Sequence, residues 1–218
     1  MKHLFNSLLL IIGLGFTNCD NDSAEAPIVF PDKIGTRWLY ENSIRQDTIE
    51  WEIVGNEIVN NNSCIVIRTH LLKSNVYNYK YYNVNSDGVT LVAEKLPKAS
   101  NNTNDSTNEN YALYIYKNTN YLFKSPKVIG DSWDHYTATF ATIDLFHLEI
   151  IEIKTKKTYI NQERISLPIG QFDCYIVNCE EYSSQEYYSD QGLILARSKF
   201  VIGQDTINVE ERLIDFKN

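Results

Sequence analysis

The sharpest chemical motif in the chain lies between residues 83 and 94, where oxygen-bearing side chains alternate as they do in a calcium-binding loop. Asn83, Asn85 and Asp87 are followed by Gly88, and Glu94 adds a distal carboxylate. Calcium prefers such oxygen ligands around a glycine turn. The segment, however, joins two strand-like runs, and Asp-Gly favours a tight hairpin because glycine supplies the positive φ that such turns need. We therefore interpret the motif as a hairpin turn and assign no metal site and no cofactor.

A second group of acid–base side chains lies in the middle of the chain and comprises Asp131, Asp134, His135, Asp144 and His147. Histidine and carboxylates at such short spacing are typical metal ligands and proton-transfer groups. Asp131, however, belongs to a turn, and His147 lies on the polar face of an alternating strand. We therefore interpret the group as surface residues.

The sequence lacks the motifs that position a nucleophile or a phosphate. It contains no Gly-x-Ser-x-Gly elbow, no His-Glu-x-x-His pair and no glycine-rich phosphate loop. We therefore expect no catalytic residues and no enzyme activity. Nucleic acid is not expected as a partner either, because a formal net charge of -8 without a Lys/Arg cluster does not neutralise a phosphate backbone.

Three cysteines, Cys64, Cys174 and Cys179, lie in the body of the chain. Cys174 and Cys179 fall on one predicted strand, which separates them by roughly 16 Å at about 3.3 Å per residue. That separation is beyond the reach of a disulfide. Any bridge therefore involves Cys64, paired with either Cys174 or Cys179, and three buried free thiols are the alternative.

The N-terminus has the layout of a secretory signal. Lys2 and His3 precede the apolar run Leu8–Phe16, which ends at Cys19. The run is shorter than the roughly 20 apolar residues of a membrane span. We therefore predict a removable signal segment over residues 1–18.

The residues around Cys19 resemble the lipobox of bacterial lipoproteins. The resemblance implies cleavage before Cys19, acylation of Cys19 and a flexible tether over residues 19–29; several acyl chains give durable membrane anchoring. An incidental thiol beside an ordinary cleavage site is the alternative. The acidic residues Asp20, Asp22 and Glu25 resemble the surface-export signals of Bacteroidota lipoproteins, which implies the outer membrane and display on its surface.

The rest of the chain, residues 30–218, is predicted as one domain of mostly β structure. Its apolar segments are rich in Ile, Val, Tyr and Thr and alternate with polar residues, as half-buried strands do. We expect a single curved antiparallel sheet or a half-open barrel, and a polar surface loop over Lys98–Asn110. The clearest strand segments are Thr48–Val54, Cys64–Thr69, Tyr77–Val84, Thr142–Lys154, Phe172–Cys179 and Thr206–Phe216.

Residues 31–95 and 126–200 share an order of landmarks that suggests an internal two-fold repeat. The spacing between landmarks differs in the two segments, so independent use of the same strand and turn residues is the alternative. The matched landmarks are Pro31, Gly35 and Trp38 with Pro126, Gly130 and Trp133, then Cys64 with Cys174, then Tyr81-Tyr82 and Gly88 with Tyr187-Tyr188 and Gly192.

These landmarks, together with Leu167-Pro-Ile-Gly170-x-Phe172, resemble envelope lipoproteins of Bacteroidota and, more distantly, lipoprotein carriers such as LolA. The resemblance implies a half-open β barrel whose concave side holds acyl chains. It covers most of residues 30–216, and its motifs mark turns and core positions without chemistry attached.

Aromatic residues are abundant, with fifteen Tyr and three Trp, and suggest a groove for an apolar or sugar-like ligand. Trp38, Trp51 and Trp133 are the candidate ligand-facing residues, although the matched positions of Trp38 and Trp133 also indicate core packing. The leading hypothesis is a non-catalytic, lipid-anchored envelope protein that binds a hydrophobic ligand or a protein partner. The alternatives are a hydrolase that acts on an envelope polymer through two facing carboxylates and a purely structural surface lipoprotein.

Overall fold

The computed structural model describes residues 30–44, 47–97, 111–125, 128–144, 147–180, 183–202 and 205–218. The predicted signal segment, Cys19 with its tether and the predicted loop over Lys98–Asn110 lie outside these residues. The structural statements below concern the described ranges only.

The described residues form thirteen strands and no helix. One antiparallel sheet contains all of them, in the order β6-β5-β4-β3-β2-β1-β13-β12-β11-β10-β9-β8, with β7 paired to β5. The sheet closes nearly into a barrel and leaves one open seam, between β6–β7 and β8. The strands are β1 (Arg37–Asn42), β2 (Asp47–Val59), β3 (Asn62–Leu71), β4 (Val76–Asn85), β5 (Gly88–Pro97), β6 (Tyr111–Ile115), β7 (Tyr121–Lys124), β8 (Ser132–Asp144), β9 (His147–Leu167), β10 (Gly170–Cys179), β11 (Ser184–Ser189), β12 (Gly192–Ile202) and β13 (Asp205–Lys217).

Alternation along the strands sends one set of side chains to the interior. In β1, Trp38 and Tyr40 are buried while Arg37 and Glu41 are exposed, which is the period of two expected for a sheet with one dry face. The main core gathers such residues from both halves of the chain. The predicted fold class, a mostly β chain in one curved antiparallel sheet, is therefore confirmed.

One predicted strand is in fact two. The segment Thr142–Lys154 spans a hairpin, because β8 ends at Asp144 and β9 begins at His147, and these two residues pair across the connection. The intervening residues contain neither Gly nor Pro, so no turn residue marked the break. The two connecting residues, Leu145 and Phe146, are both apolar, so the segment resembles one continuous strand.

The two segments proposed as repeats correspond to β1–β5 and β8–β12. The amide of Gly35 donates to the carbonyl of Ile53 at 2.8 Å, and the amide of Gly130 donates to the carbonyl of Tyr159 at 2.9 Å. These matching bonds fix β1 on β2 and β8 on β9 in the same way. The duplication itself stays a prediction.

A second similarity between the two segments is a register shift at the tyrosine pairs. The β4–β5 ladder shifts register between Tyr81 and Tyr82, and the β11–β12 ladder shifts between Tyr187 and Tyr188. Beyond the bulge, β4 continues for three residues to Asn85, whereas β11 continues for one residue to Ser189. The first hairpin is therefore longer than the second, which accounts for part of the unequal spacing between landmarks.

Side chains replace a strand ladder at the seam. The Asn120 amide donates to the Tyr136 carbonyl at 2.7 Å and accepts from the Tyr136 amide at 2.8 Å, and the Ala138 amide donates to the Tyr116 hydroxyl at 3.0 Å. Unpaired strand edges are costly when buried and adhesive when exposed. These contacts satisfy part of the β8 edge and hold the barrel nearly shut.

Candidate functional site

A cavity of about 670 Å³ lies on the inner side of β1, β2, β11, β12 and β13, and Leu122 of β7 also lines it. Most of its wall is apolar. The lining residues are Phe30, Asn42, Ile44, Ile49, Trp51, Leu122, Glu186, Tyr188, Leu193, Ala196, Ser198, Phe200, Ile207, Val209 and Glu211.

The deep end of the cavity is closed by buried rings. Phe30 is 3% exposed and packs against Trp38 with ring centroids 5.7 Å apart. Gly192 lies beneath Phe30 at φ +94°, and a Cβ there would come within 3.0 Å of the Phe30 ring. A glycine at this position therefore satisfies both the left-handed backbone and the close approach of the ring.

Trp51 stands in the wall between the deep end and the opening. It pairs with Trp38 in the β1–β2 ladder and meets Tyr40 edge-on, with centroids 5.3 Å apart. Its ring is half-buried and lines the cavity. Tyr40 is held by a hydrogen bond from its hydroxyl to the Leu193 carbonyl at 2.9 Å, so the surface that Trp51 rests on is fixed.

The opening of the cavity has an apolar rim. Ile44 is 48% exposed, Phe200 is 41% exposed and Ile207 is 36% exposed. These residues flank the hairpin after β1 and the hairpin between β12 and β13. Large apolar side chains clustered at the mouth of an apolar pocket are a typical feature of a surface that receives a ligand or partner.

One polar residue of the cavity wall, Glu186, belongs to an ion pair with a buried lysine. Lys157 is 1% exposed, and its Nζ lies 2.6 Å from Glu186 Oε2 and donates to the Leu122 carbonyl at 3.0 Å. The Tyr188 hydroxyl donates to the same Glu186 oxygen at 2.8 Å. Burial and the neighbouring Glu186 carboxylate together hold the Tyr188 pKa well above its ordinary value.

A second carboxylate, Glu211, lines the cavity closer to the opening. Glu211 pairs with Asn42 in the β1–β13 ladder, and both side chains belong to the lining. Burial raises the pKa of Tyr40, and the charge of Glu211 adds to that rise. The cavity is thus an apolar space with carboxylates at two positions in its wall.

The three tryptophans occupy different environments. Trp51 lines the cavity, whereas Trp38 is 1% exposed and Trp133 is 6% exposed, and both belong to the main core. Trp38 donates its Nε1 proton to the Gln191 carbonyl, and Trp133 packs edge-on against Phe123 at 6.2 Å. Of the predicted ligand-facing residues, the structure places Trp51 at the cavity.

The three cysteines of the domain are buried free thiols, as in the alternative without a disulfide; they are Cys64, Cys174 and Cys179. Cys64 packs in a small cluster with Val66 and Tyr81, whereas Cys174 lies in the main core. Burial raises the pKa of the Cys174 thiol to about 12, which makes it a poor nucleophile. In the described part of the chain, no disulfide joins Cys64 to Cys174.

The calcium-like motif is a hairpin turn. Asn85 and Gly88 close the β4–β5 hairpin, and the Asp87 amide donates to Asn85 Oδ1 at 2.8 Å. Glu94 is 4% exposed, accepts a hydrogen bond from the Tyr116 hydroxyl and lies away from the turn, opposite Lys80 in the ladder. Nowhere in the described ranges do three His, Cys, Asp or Glu side chains converge on a metal site.

The central acid–base residues do not converge either. Asp134 forms an exposed ion pair with Lys154 at 2.8 Å, while His135 faces the seam with its Nδ1 3.1 Å from the Tyr121 carbonyl. Burial, reinforced by the positive charge of Lys157, lowers the His135 pKa to about 3. His135 is therefore a half-buried residue at the seam, contrary to the surface position expected. The side chains of Asp144 and His147 lie outside the described set.

No sequence pattern indicates the Lys157–Glu186 pair. Lys157 ends a basic, alternating run that reads as a solvated strand face, and Glu186 precedes a tyrosine pair without any motif. The two positions are brought together only by the pairing of β9 with β10 and of β10 with β11. No single-segment pattern contains that information.

No family model matches this chain, and no curated protein matches it. A crystal structure at 2.70 Å from Parabacteroides distasonis ATCC 8503, provisionally described as a lipoprotein, aligns with 88% of this chain and 100% of its own, at 13% identity and a TM-score of 0.45. That similarity is too low to assign a function. Among the residues described, no helix has the length and apolar character required to cross a bilayer.

Proposed function

We propose that this protein is a lipid-anchored, non-catalytic protein of the cell envelope and that its cavity binds a hydrophobic ligand. The observation that supports ligand binding is the apolar lining of the 670 Å³ cavity, with Trp51 in its wall and Ile44 and Phe200 at its exposed rim. Small-molecule sites typically enclose about 300–1,000 Å³ and combine apolar walls with a few polar groups. The cavity fits that description.

Titration with a series of straight-chain alcohols tests ligand binding. Burial of each CH₂ contributes about 0.8 kcal/mol, which corresponds to about a four-fold gain in affinity per carbon until the cavity is full. A change in tryptophan fluorescence reports occupancy, because Trp51 lines the cavity whereas Trp38 and Trp133 lie in the core. A chain that binds none of octanol, decanol or dodecanol would contradict the proposal.

A cavity-filling variant locates the site. Ala196 lines the cavity from β12, so Ala196→Phe is expected to abolish alcohol binding. The control is Val128→Phe, which enlarges an apolar residue that is 62% exposed and lies outside the cavity lining. Thermal melting of both variants checks that they fold. Equal binding by the two variants would place the ligand elsewhere.

The lipid anchor rests on the residues around Cys19. Replacement of Cys19 by Ser is expected to move the protein from the membrane fraction to the soluble fraction, because acylation needs the thiol. Protease treatment of intact cells then tests display on the outer surface. Retention of the Cys19→Ser variant in the membrane fraction would leave Cys19 as an incidental thiol.

A hydrolase is the second candidate, because two carboxylates, Glu186 and Glu211, line the cavity. Glu186 is already engaged by Lys157 and Tyr188, which disfavours it as a proton donor to a substrate. Incubation of the protein with isolated envelope polymer, with Glu211→Gln as control, tests the activity. Release of soluble fragments by the wild type alone would favour the hydrolase.

A further inference from the structure

We infer that the hairpin between β12 and β13 docks on the lipid bilayer that holds the anchor, so that the mouth of the cavity opens onto the membrane. This inference rests on the proposed lipid anchor and adds the surface that the domain presents to the membrane. Its basis is a two-stranded segment that extends beyond the rest of the sheet. This segment comprises residues 199–202 and 205–208 and is called the projecting ribbon below.

Among the described residues, no strand pairs with either outer edge of the projecting ribbon. On one side, the ladder with β11 ends at Arg197 of β12. On the other side, β1 reaches β13 only as far as Glu210, whose carbonyl accepts from the Ser43 amide at 2.9 Å. The two strands of the ribbon stay paired with each other to the end of β12. Every side chain described in the ribbon is accordingly exposed.

Apolar side chains lie on both faces of the projecting ribbon. Phe200 and Ile207 pair across it and line the mouth of the cavity. Val201 is 69% exposed and points to the opposite face, because neighbouring residues of a strand alternate. A protein seated on the mouth would cover Phe200 and Ile207 and leave Val201 in water, whereas the interfacial layer of a bilayer surrounds both faces at once. Exposed apolar side chains on both faces therefore favour a membrane as the occupant.

The backbone and the charges of the projecting ribbon fit shallow docking. The unpaired backbone groups at its outer edges exclude deep insertion, because hydrocarbon offers them no hydrogen-bond partner. The head-group layer supplies water and lipid oxygens, while the side chains of Phe200 and Val201 extend to the acyl chains. Lys199 and Asp205 are the charged residues of the hairpin, and their charges cancel. Docking is therefore expected to depend on apolar contact and not on the charge of the lipid.

The predicted tether is long enough for this orientation. Phe30 packs over Gly192 at the closed end of the cavity, and β12 rises at most about 26 Å from Gly192 to Phe200 at about 3.3 Å per residue. The stretch from Cys19 to Phe30 spans at most about 36–40 Å when fully extended. The acyl chains on Cys19 and the ribbon can therefore lie in the same bilayer. Because the anchor already holds the domain at the surface, docking of the ribbon is an intramolecular step.

A dye on the projecting ribbon tests the docking, on the acylated full chain in phosphatidylcholine vesicles. Thr206→Cys provides a thiol for an environment-sensitive dye on the face of Val201, outside the cavity lining. The three cysteines of the domain are buried, so the dye reports from this position. We expect the emission to shift to the blue and to be quenched by brominated lipid. The matched control is the same dye at Ile58→Cys, since Ile58 is 82% exposed at the far end of β2.

The outcomes separate the docking from the anchor. The dye at Ile58→Cys is expected to keep the emission that it has in water. Equal emission at the two positions, in a protein that stays with the vesicles, would overturn the inference and leave the proposed anchor intact. Loss of the protein from the vesicles would contradict the anchor itself.

A charge on the projecting ribbon tests the apolar contact. With the dye at Thr206→Cys, Val201→Glu is expected to lower the ratio of docked to undocked protein at least about ten-fold, because it removes a valine side chain from the bilayer. The matched control is Ile58→Glu, which adds the same charge at the far end of β2. Neither Val201 nor Ile58 lines the cavity, so alcohol binding is expected to stay unchanged in both variants.

Three results would overturn the assignment to the membrane. They are an equal effect of Val201→Glu and Ile58→Glu, docking that added salt abolishes, and association of two copies that Val201→Glu disrupts while the dye stays in water. The last result would make the projecting ribbon a protein interface. If Val201→Glu fails to fold, the comparison of the two dye positions decides the matter alone.

Discussion

Replacement of Glu186 by Gln is expected to destabilise the fold strongly, because it leaves a charged lysine inside the barrel. Lys157 is 1% exposed, and its ion pair with Glu186 is 2.6 Å long. The glutamine keeps the volume of the side chain and an oxygen that can accept from Tyr188. The variant therefore isolates the loss of the negative charge.

The expected cost follows from the burial of the pair. Removal of one partner of a buried ion pair typically costs about 3–5 kcal/mol. Glu186 is 20% exposed at its side chain, so we expect about 3 kcal/mol, the lower end of that range. The double variant Lys157→Met with Glu186→Gln removes both charges and is expected to recover most of the loss, apart from about 1 kcal/mol for the unpaired Leu122 carbonyl.

Urea unfolding of the wild type, the two single variants and the double variant gives the coupling energy of the pair. Equal m-values across the set are the condition for comparing the free energies of unfolding. A Glu186→Gln variant within about 0.5 kcal/mol of the wild type would show that Lys157 reaches water. Additive effects of Lys157→Met and Glu186→Gln would likewise refute a direct pair.

Three further predictions concern the seam and its supports. The pKa of His135 in the folded chain is about 3, below its ordinary value of 6.5. As the pH falls, the unfolded chain therefore takes up the proton before the folded chain does. The free energy of unfolding is expected to fall between about pH 6.5 and pH 3, by up to about 1.4 kcal/mol per pH unit. His135→Gln is expected to flatten that slope in urea unfolding, and an unchanged slope would contradict the lowered pKa of His135. Asn120→Ala leaves the amide and carbonyl of Tyr136 without partners and is expected to cost about 2–4 kcal/mol, whereas a melting temperature equal to the wild type would show that water replaces the side chain. Gly88→Ala places a Cβ 2.2 Å from a backbone oxygen at φ +135° and is expected to lower the free energy of unfolding by about 2 kcal/mol or more. The control is Gly55→Ala, where a Cβ meets no atom within 4 Å. Equal stability of the two variants would argue against the close packing of β5 on β7.

The strands could be predicted because alternation is a local property. Trp51 and Ile53 alternate with Glu50 and Glu52 in the chain, and β2 contains this segment as expected. The hairpin at Asp144 could not be predicted in the same way, because its two connecting residues, Leu145 and Phe146, are apolar and include neither Gly nor Pro. Local pattern thus determines the type of structure more reliably than where a strand reverses.

The cavity could be predicted only in part, since its wall combines distant segments. Trp51 is a candidate from its aromatic character, whereas nothing in the sequence separates Glu211 from the other acidic residues on alternating strands. The pairing of β1 with β13 brings Asn42 opposite Glu211, a contact between residues at opposite ends of the domain. Sequence periodicity is silent about such pairings, because each strand satisfies its own alternation whichever neighbour it has.

The two halves of the chain differ at one pair of matched ladder positions, which hold Trp51 and Lys157. Trp38 pairs with Trp51 across β1 and β2, and Trp133 pairs with Lys157 across β8 and β9. Trp51 and Lys157 therefore occupy equivalent positions, each two residues before the carbonyl that binds the landmark glycine. The tryptophan leaves an apolar wall open to a ligand, whereas the lysine reaches into the interior and ties β9 to β7 and β11 through its two bonds. If the halves arose by duplication and the cavity binds the proposed ligand, Lys157 closes the barrel in one half and Trp51 lines the binding site in the other, so the two roles lie at a position where the repeats differ.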